Sequence, residues 1–296
     1  MHRIVSLLVA VMVMSFATLT QANTSPGKTQ LYAFSNLTLP QIGRTDSLSL
    51  NYLRVGTRIY FGNPSDRNGQ WMTRLEYNFA IDDVYRAYVE GKWSDLAFGL
   101  PLDMQVGRFL APIGWFYPDP AKIEQSRYPV ALNDHKTNLD GVWLSTEIFG
   151  FNIGGGYFTK NGDQLITTVQ WQWLKLYYES GVAYGLTTDS AIEGHSWWFH
   201  PYGGIDILDA RNKSVRSFVT NYFDLTDRWR LYAQVDYVNG YPGVEATEQV
   251  HGQFYPSGSL VWRPIPDHLR FSLSYDDWQK TAIGKVSFNW EYLVRH

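Results

Sequence analysis

Alternation with a period of two, repeated along nearly the whole chain, limits most severely what this sequence can fold into. In Trp71–Phe79 the apolar set Trp71, Leu75, Tyr77 and Phe79, with Thr73 among them, alternates with Met72, Arg74, Glu76 and Asn78. In Trp229–Asn239, Trp229, Leu231, Ala233, Val235 and Tyr237 face one way and Arg230, Tyr232, Gln234 and Asp236 the other. Similar runs fill Leu53–Phe61, Val84–Trp93, Gln164–Trp173, Lys175–Leu186, Leu269–Asp276 and Gly284–Val294. Successive side chains of a strand point to opposite faces, and a tilted strand crosses a bilayer in about 9–11 residues. Strands of soluble sheets are shorter, about five or six residues. A soluble sandwich with one wet face is the competing architecture, and the long runs with Trp and Tyr near their ends count against it.

The start of the chain points to export. His2 and Arg3 form a short basic head, Ile4–Ala17 is apolar, and Thr20-Gln21-Ala22 places small residues where a signal peptidase reads. Residues 1–22 therefore read as a signal peptide and 23–296 as one domain. The apolar run is too short for a membrane helix of about 20 residues. Nothing downstream supplies one, with a mean hydropathy of -0.26 and charges spread throughout. Removing Arg3 takes the net charge from -3 to -4. There is no cysteine, so this is not a disulfide scaffold, while 12 Trp, 20 Tyr and 16 Phe give an unusual aromatic load. The reading is all-β: a transmembrane antiparallel β-barrel of the bacterial outer membrane, with an apolar outer band, a polar interior and aromatic girdles.

About 14 strands can be counted from Leu48 onward, with a range of 12 to 16. The count has a parity defect, because it puts the tight Phe149-Gly150 turn on the rim of the long loops. A strand missed between Leu186 and Val215, or before Leu48, would repair it, and Tyr32–Leu39 is a candidate. Pro264-Ile265-Pro266-Asp267 is expected outside the sheet, since proline cannot donate to a ladder. Short turns on one rim and longer loops on the other are the barrel habit. One link stands apart. From Pro112 to Asn138 no period of either kind holds, and the segment 112–138 is long enough to be functional in its own right.

Two short stretches resemble a known family, and a third resembles a signal common to outer-membrane barrels. GRFLAPIGW (Gly107–Trp115), following a strand and preceding the long loop, is similar to the strand-to-loop passage of phosphate-selective porins of the O and P type. AYVEG (Ala87–Gly91) resembles the stretch before it, and FNWEYLV (Phe288–Val294) resembles the closing strand by which outer-membrane barrels are recognised for assembly. The chain ends in Arg295-His296 rather than an aromatic, and it is short for that family's 16 strands. The resemblance implies a passive diffusion channel. Phosphate selectivity does not carry over, because no anion-binding ladder can be matched residue by residue.

The face opposite the apolar band collects Arg54, Arg58, Arg74, Glu76, Arg86, Glu90, Lys92, Asp103, Lys175, Glu179, Arg216, Arg230, Asp236, Arg270, Asp276, Lys285 and Glu291. Charges of both signs on a barrel wall hold water and set a transverse field, which sorts solutes. In the smallest barrels such groups instead pair and fill a closed interior. Positive groups outnumber acidic ones ten to seven, a lean towards anions. In the long loop, Asp119, Lys122, Glu124 and Arg127 are candidate constriction residues, with Trp115-Phe116-Tyr117 as an anchor to the wall. The expected function is a porin-like channel for small hydrophilic solutes or ions. A non-conducting structural or receptor barrel and a lipid-modifying enzyme are the alternatives. For the enzyme, Glu193, His195 and Ser196 share a loop, but adjacent loop residues rarely converge and no Gly-x-Ser-x-Gly occurs. No metal-ligand spacing stands out and no cofactor is expected. The acidic balance and export disfavour nucleic acid. Expected partners are outer-membrane lipid, the barrel-assembly machinery, small solutes or ions, and further copies in a homotrimer.

Overall fold

The alternating runs become strands whose paired edges leave no free border. The computed structural model describes residues 26–39, 49–61, 70–97, 99–112, 138–159, 163–172, 174–180, 183–189, 202–208, 215–242, 249–250, 252–265, 268–277 and 281–295. The strands are β1 (Pro26–Thr38), β2 (Ser49–Phe61), β3 (Gln70–Asn78), β4 (Asp83–Ala97), β5 (Leu100–Leu110), β6 (Asn138–Ile148), β7 (Phe151–Phe158) and β8 (Gln164–Trp171). They continue with β9 (Leu174–Glu179), β10 (Ala183–Asp189), β11 (Tyr202–Leu208), β12 (Val215–Asp224) and β13 (Trp229–Asn239). A two-residue ribbon, β14 (Tyr241–Pro242) and β15 (Gln249–Val250), precedes β16 (Gln253–Ile265), β17 (Leu269–Asp276) and β18 (Thr281–Arg295). All but β14 and β15 form one closed antiparallel barrel of 16 strands, sealed where β1 pairs with both β2 and β18. Closure satisfies the backbone inside a bilayer, where an open edge would be costly.

The 16 strands reach the upper end of the expected range, and two differences explain the lower count. Of Tyr32–Leu39, all but Leu39 belongs to a strand, β1. Lys175–Leu186, which reads as one alternating run, is two strands joined by residues 180–182. Ala183 lies opposite Glu179, so a three-residue link keeps the odd positions on one face and the alternation passes through the turn unbroken. Pro264 also departs from expectation. It lies inside β16, at a register shift between Trp262 and Ile265, where a missing donor breaks no ladder.

Strand direction assigns every link to a rim. Links 39–48, 79–82, 111–137, 159–163, 180–182, 209–214, 240–252 and 277–280 share one rim, and we call it the loop rim. Links 62–69, 98–99, 149–150, 172–173, 190–201, 225–228 and 266–268 lie at the other, with both barrel ends, and we call that the terminal rim. Lengths are mixed on both: 62–69 and 190–201 fall on the terminal rim. The tightest turn there, Phe149-Gly150, has positive φ at both residues (51° and 79°), the geometry of a two-residue hairpin.

The outer surface is a belt of exposed apolar side chains, including Leu31, Val55, Val106, Val142, Ile153, Val169, Leu176, Val235, Leu260 and Leu273. An apolar surface this extensive is stable only against lipid. Its edges differ in chemistry. Toward the terminal rim lie Trp71 and Trp93, with ring centroids 4.9 Å apart, Phe151 against Trp171, and the row Trp229, Trp262 and Phe271. Toward the loop rim lie Tyr77, Tyr157, Tyr178, Tyr237, Phe254 and Tyr275. Amphipathic rings at both edges are the girdles expected at the headgroup levels.

Candidate functional site: the inner wall

Inward positions fall into chemically distinct sectors. The first is cationic and spans β1–β4. Arg54 lies opposite Asn78, Gly56 opposite Glu76, Arg58 opposite Arg74, and Glu76 opposite Arg86, so the register places four arginines and one glutamate on the same part of the wall. Arg74 Nη2 donates to Glu76 Oε2 at 2.6 Å and Arg54 Nη1 to Oε1 at 3.4 Å. Tyr32 links the group: its hydroxyl accepts from Arg74 Nε at 2.7 Å and donates to Glu76 Oε2 at 2.9 Å. Its ring also underlies Arg58 at 4.7 Å and Arg74 at 5.2 Å, as ring faces favour cations. Glu76 and Tyr32 are fully buried. Arg58 also donates to Gln30 Oε1 at 3.0 Å, and Arg86 to Asn138 Oδ1 at 3.3 Å.

Strict alternation misses one member of this sector. The register shift between Glu76 and Tyr77 pairs Arg86 and then Val84 with β3, leaving Tyr85 as the extra residue of a bulge. A bulge re-aims a side chain, and the Tyr85 ring receives Arg54 at 3.7 Å and Arg86 at 5.3 Å.

The second sector, from β4 to β9, overturns the expectation of a polar interior. Tyr88, Phe109, Ala111, Leu139, Trp143, Phe158, Ile166 and Tyr177 form a buried apolar cluster on the inner face. Three glycines make room for it. A Cβ on Gly154 would run into Trp143, one on Gly156 would come within 2.7 Å of the same ring, and one on Gly141 within 2.6 Å of Phe158. Inward rings and outward rings obey the same period, so alternation alone could not separate them.

The third sector, β12–β17, is mixed. Asp236 and Asp276 are buried, Gln234 Nε2 donates to Asp236 Oδ2 at 2.6 Å, and Ser259 and Ser274 share a hydrogen bond of 2.8 Å. Nearer the terminal rim, Arg230 holds Asp224 with two hydrogen bonds of 2.6 and 3.0 Å.

The structure thus brings Arg54, Arg58, Arg74, Glu76 and Arg86 together on one wall. It separates them from Asp103, opposite Lys92 and Ser145, and from Arg230 and Asp236 on β13. Asp119, Lys122, Glu124 and Arg127 lie outside the described residues, as do the anchor Trp115-Phe116-Tyr117, the trio Glu193, His195 and Ser196, and the segment 1–22. Among the described residues no group of three or more His, Cys, Asp or Glu is placed to hold a metal ion.

One outward group is an exception to the apolar belt. Arg108 makes a two-pronged pair with Asp140, at 2.8 and 3.0 Å, and reaches Asp83 at 3.5 Å. It lies one turn of the alternation beyond Val106 and Val142, at the loop-rim edge of the belt, where charge meets headgroups rather than chains.

Neither a family model nor a curated protein matches the sequence. Solved structures do match the fold. The OmpF structure from Salmonella typhi, in complex with daunomycin, superposes with a TM-score of 0.57 at 11% identity, covering 89% of this chain and 97% of that one. A Rh. blastica porin mutant gives 0.53 at 8% identity, covering 91% and 100%. The loop-deleted OmpT, an outer-membrane protein of Vibrio cholerae, gives 0.51 at 12% identity, covering 90% and 100%. At these identities the likeness is one of fold: an outer-membrane β-barrel of the porin type.

Proposed function

We propose that this chain is an outer-membrane channel through which small hydrophilic solutes or ions diffuse passively, with a mild preference for anions. The observation that carries the reading is the β1–β4 wall, where Arg54 and Arg74 bind the buried carboxylate of Glu76 and Arg58 and Arg86 stand beside them over the Tyr32 and Tyr85 rings. Guanidiniums predominate in this group among the described residues. Asp236 and Asp276 stand on the strands of another sector. Fixed charges of opposite sign on separate parts of a wall set a field across the lumen, and a net cationic side favours anions. In this reading export uses residues 1–22, and the loop rim faces outward from the cell.

The long loop is part of the same proposal. β5 ends at Leu110 and β6 begins at Asn138, so the loop leaves and re-enters the barrel beside the arginine-bearing strands. Folded inward, it narrows the lumen and brings Asp119, Lys122, Glu124 and Arg127 to the opening. Assembly into homotrimers belongs to the proposal too, and cross-linking in native membranes reads it.

The apolar inner cluster favours a second reading, a barrel with a filled interior that conducts nothing. Reconstitution into planar bilayers separates the two. A channel gives discrete conductance steps and, in a potassium chloride gradient, a reversal potential on the anion side. Deleting residues 122–133 raises the step size if the loop narrows the pore. A folded, heat-modifiable barrel that gives no steps refutes the channel.

A further inference from the structure

We infer that Lys175, on the inner face of β9, is a binding station for a small monocarboxylate. β9 alternates strictly, with Lys175, Tyr177 and Glu179 buried inward and Leu176 and Tyr178 exposed outward. Lys175 is 8% exposed, and among the described residues it takes part in no hydrogen bond, ion pair or ring contact. Its Nζ is nevertheless not sealed from the lumen. The stem therefore lies in the wall and the ammonium reaches water, as long basic side chains do.

Register explains why no acid answers this charge. Lys175 lies opposite Gln170 on β8 and Thr187 on β10. Glu179 is four residues along the same strand, roughly 13 Å away at about 3.3 Å per residue. Glu147 shares the row of Lys175 through Asn152 and Gln170, but three strand spacings of about 4.8 Å put it roughly 14 Å away. Both separations exceed the Debye length of about 8 Å at physiological salt. A largely buried charge without a partner is costly, and an anion from the lumen relieves it.

The surroundings select the anion. On the loop-rim side stands the apolar cluster: Tyr177 lies opposite Thr168, Thr168 opposite Gly154, and the Trp143 ring covers Gly154. Beside Lys175, the half-buried Gln170 and the exposed Asn152 offer amide N–H groups to a second oxygen. Gln170 spends one of its two on the Gln172 carbonyl, at 3.4 Å. One carboxylate on one ammonium makes a neutral pair, and a short alkyl chain is tolerated against the cluster. The second charge of a dicarboxylate would stand there unpaired, at a cost. The station is distinct from the arginine wall, because β9 is eight strands from β1 in either direction round the barrel.

The station rests on the channel reading for its use but not for its existence, and the test keeps them apart. Propionate binding to the full chain, refolded in detergent micelles at low salt, is followed by saturation-transfer NMR, with single-channel recordings from the same preparation. Wild type binds propionate saturably and more tightly than succinate. Lys175→Met keeps the stem and removes the ammonium, so the dissociation constant for propionate rises at least about tenfold, as expected for a lost charge-assisted bond. Urea unfolding in vesicles gives a second readout. Propionate raises the wild-type midpoint above its value in chloride, because a ligand of the folded state stabilises it. In Lys175→Met that increment is lost, while the midpoint in chloride rises, since an unpaired charge has gone. If Lys175→Met fails to fold, Lys175→Gln carries the binding test. Unchanged propionate affinity in folded variants, or no saturable binding to wild type, overturns the station even if the barrel conducts. Succinate binding as tight as propionate overturns the choice of a monocarboxylate. Binding lost in the variants of a barrel that never conducts supports the station and refutes only the channel.

Discussion

Glu76→Gln tests the cationic wall most directly. The side chain is fully buried and accepts from Arg74 at 2.6 Å, Tyr32 at 2.9 Å and Arg54 at 3.4 Å. At an effective dielectric constant of about 20, unit charges about 4 Å apart attract by about 4 kcal/mol, and desolvation offsets much of it. Removing one partner is the costlier change, about 3–5 kcal/mol for a buried pair, because it leaves the other charge uncompensated. Glutamine keeps the volume and one carbonyl acceptor for Arg74. We therefore expect a loss of about 2–3 kcal/mol, below that range. The substitution removes one negative charge from the cluster at the same time. Urea unfolding in lipid vesicles, followed by tryptophan fluorescence, measures the first effect, and the reversal potential in a salt gradient measures the second, as a further shift toward anions. Tyr32→Phe leaves all charges in place and removes only the bridging hydroxyl, so it costs about 1.5–3 kcal/mol, as for hydrogen bonds to charged groups, and moves the reversal potential little. A loss below about 0.5 kcal/mol for Glu76→Gln, with selectivity unchanged, would refute the view that this carboxylate organises the arginines.

Two further substitutions probe the two faces of the wall. Val235 points outward near the middle of β13, so Val235→Arg costs about 2–4 kcal/mol, while Leu231→Arg, just inside the Trp229 girdle, costs under half of that; equal losses in vesicle unfolding would contradict the assigned depth. Gly154→Ala drives a methyl into the buried Trp143 ring and costs about 1–3 kcal/mol, with a shifted near-ultraviolet tryptophan signal; an unperturbed barrel would mean that the inner cluster is loosely packed.

The barrel and the inward face of its charged positions were legible because lipid and lumen impose opposite chemistries on alternate residues. Arg54, Arg74, Glu76 and Arg86 could be assigned to one face from the period alone, and register then brought them together. What stayed hidden follows from the limits of parity. The link 180–182 conserves it, so one run concealed two strands. The bulge at Tyr85 breaks it, so the residue that stacks on Arg54 reads as outward. In β1 the signal is inverted, since Ala33 and Ser35 share the outer side with Leu31 while Tyr32 and Phe34 are buried inward.

That inversion also accounts for how the arginine wall is built. A guanidinium cluster on a purely polar wall would be held only by salt bridges, which hydrated surroundings weaken. Here Tyr32 and Tyr85 present ring faces beneath Arg54, Arg58, Arg74 and Arg86, and Tyr88, the cross-strand neighbour of Arg74, opens the apolar cluster that runs on through Phe109 and Phe158. The aromatic half of the inner wall thus continues directly into the cationic half. Rings exclude water from one side of each guanidinium and strengthen its remaining interactions. Inward aromatics, which a period-of-two reading assigns to lipid, are therefore part of what fixes the positive charge at its place on the lumen wall.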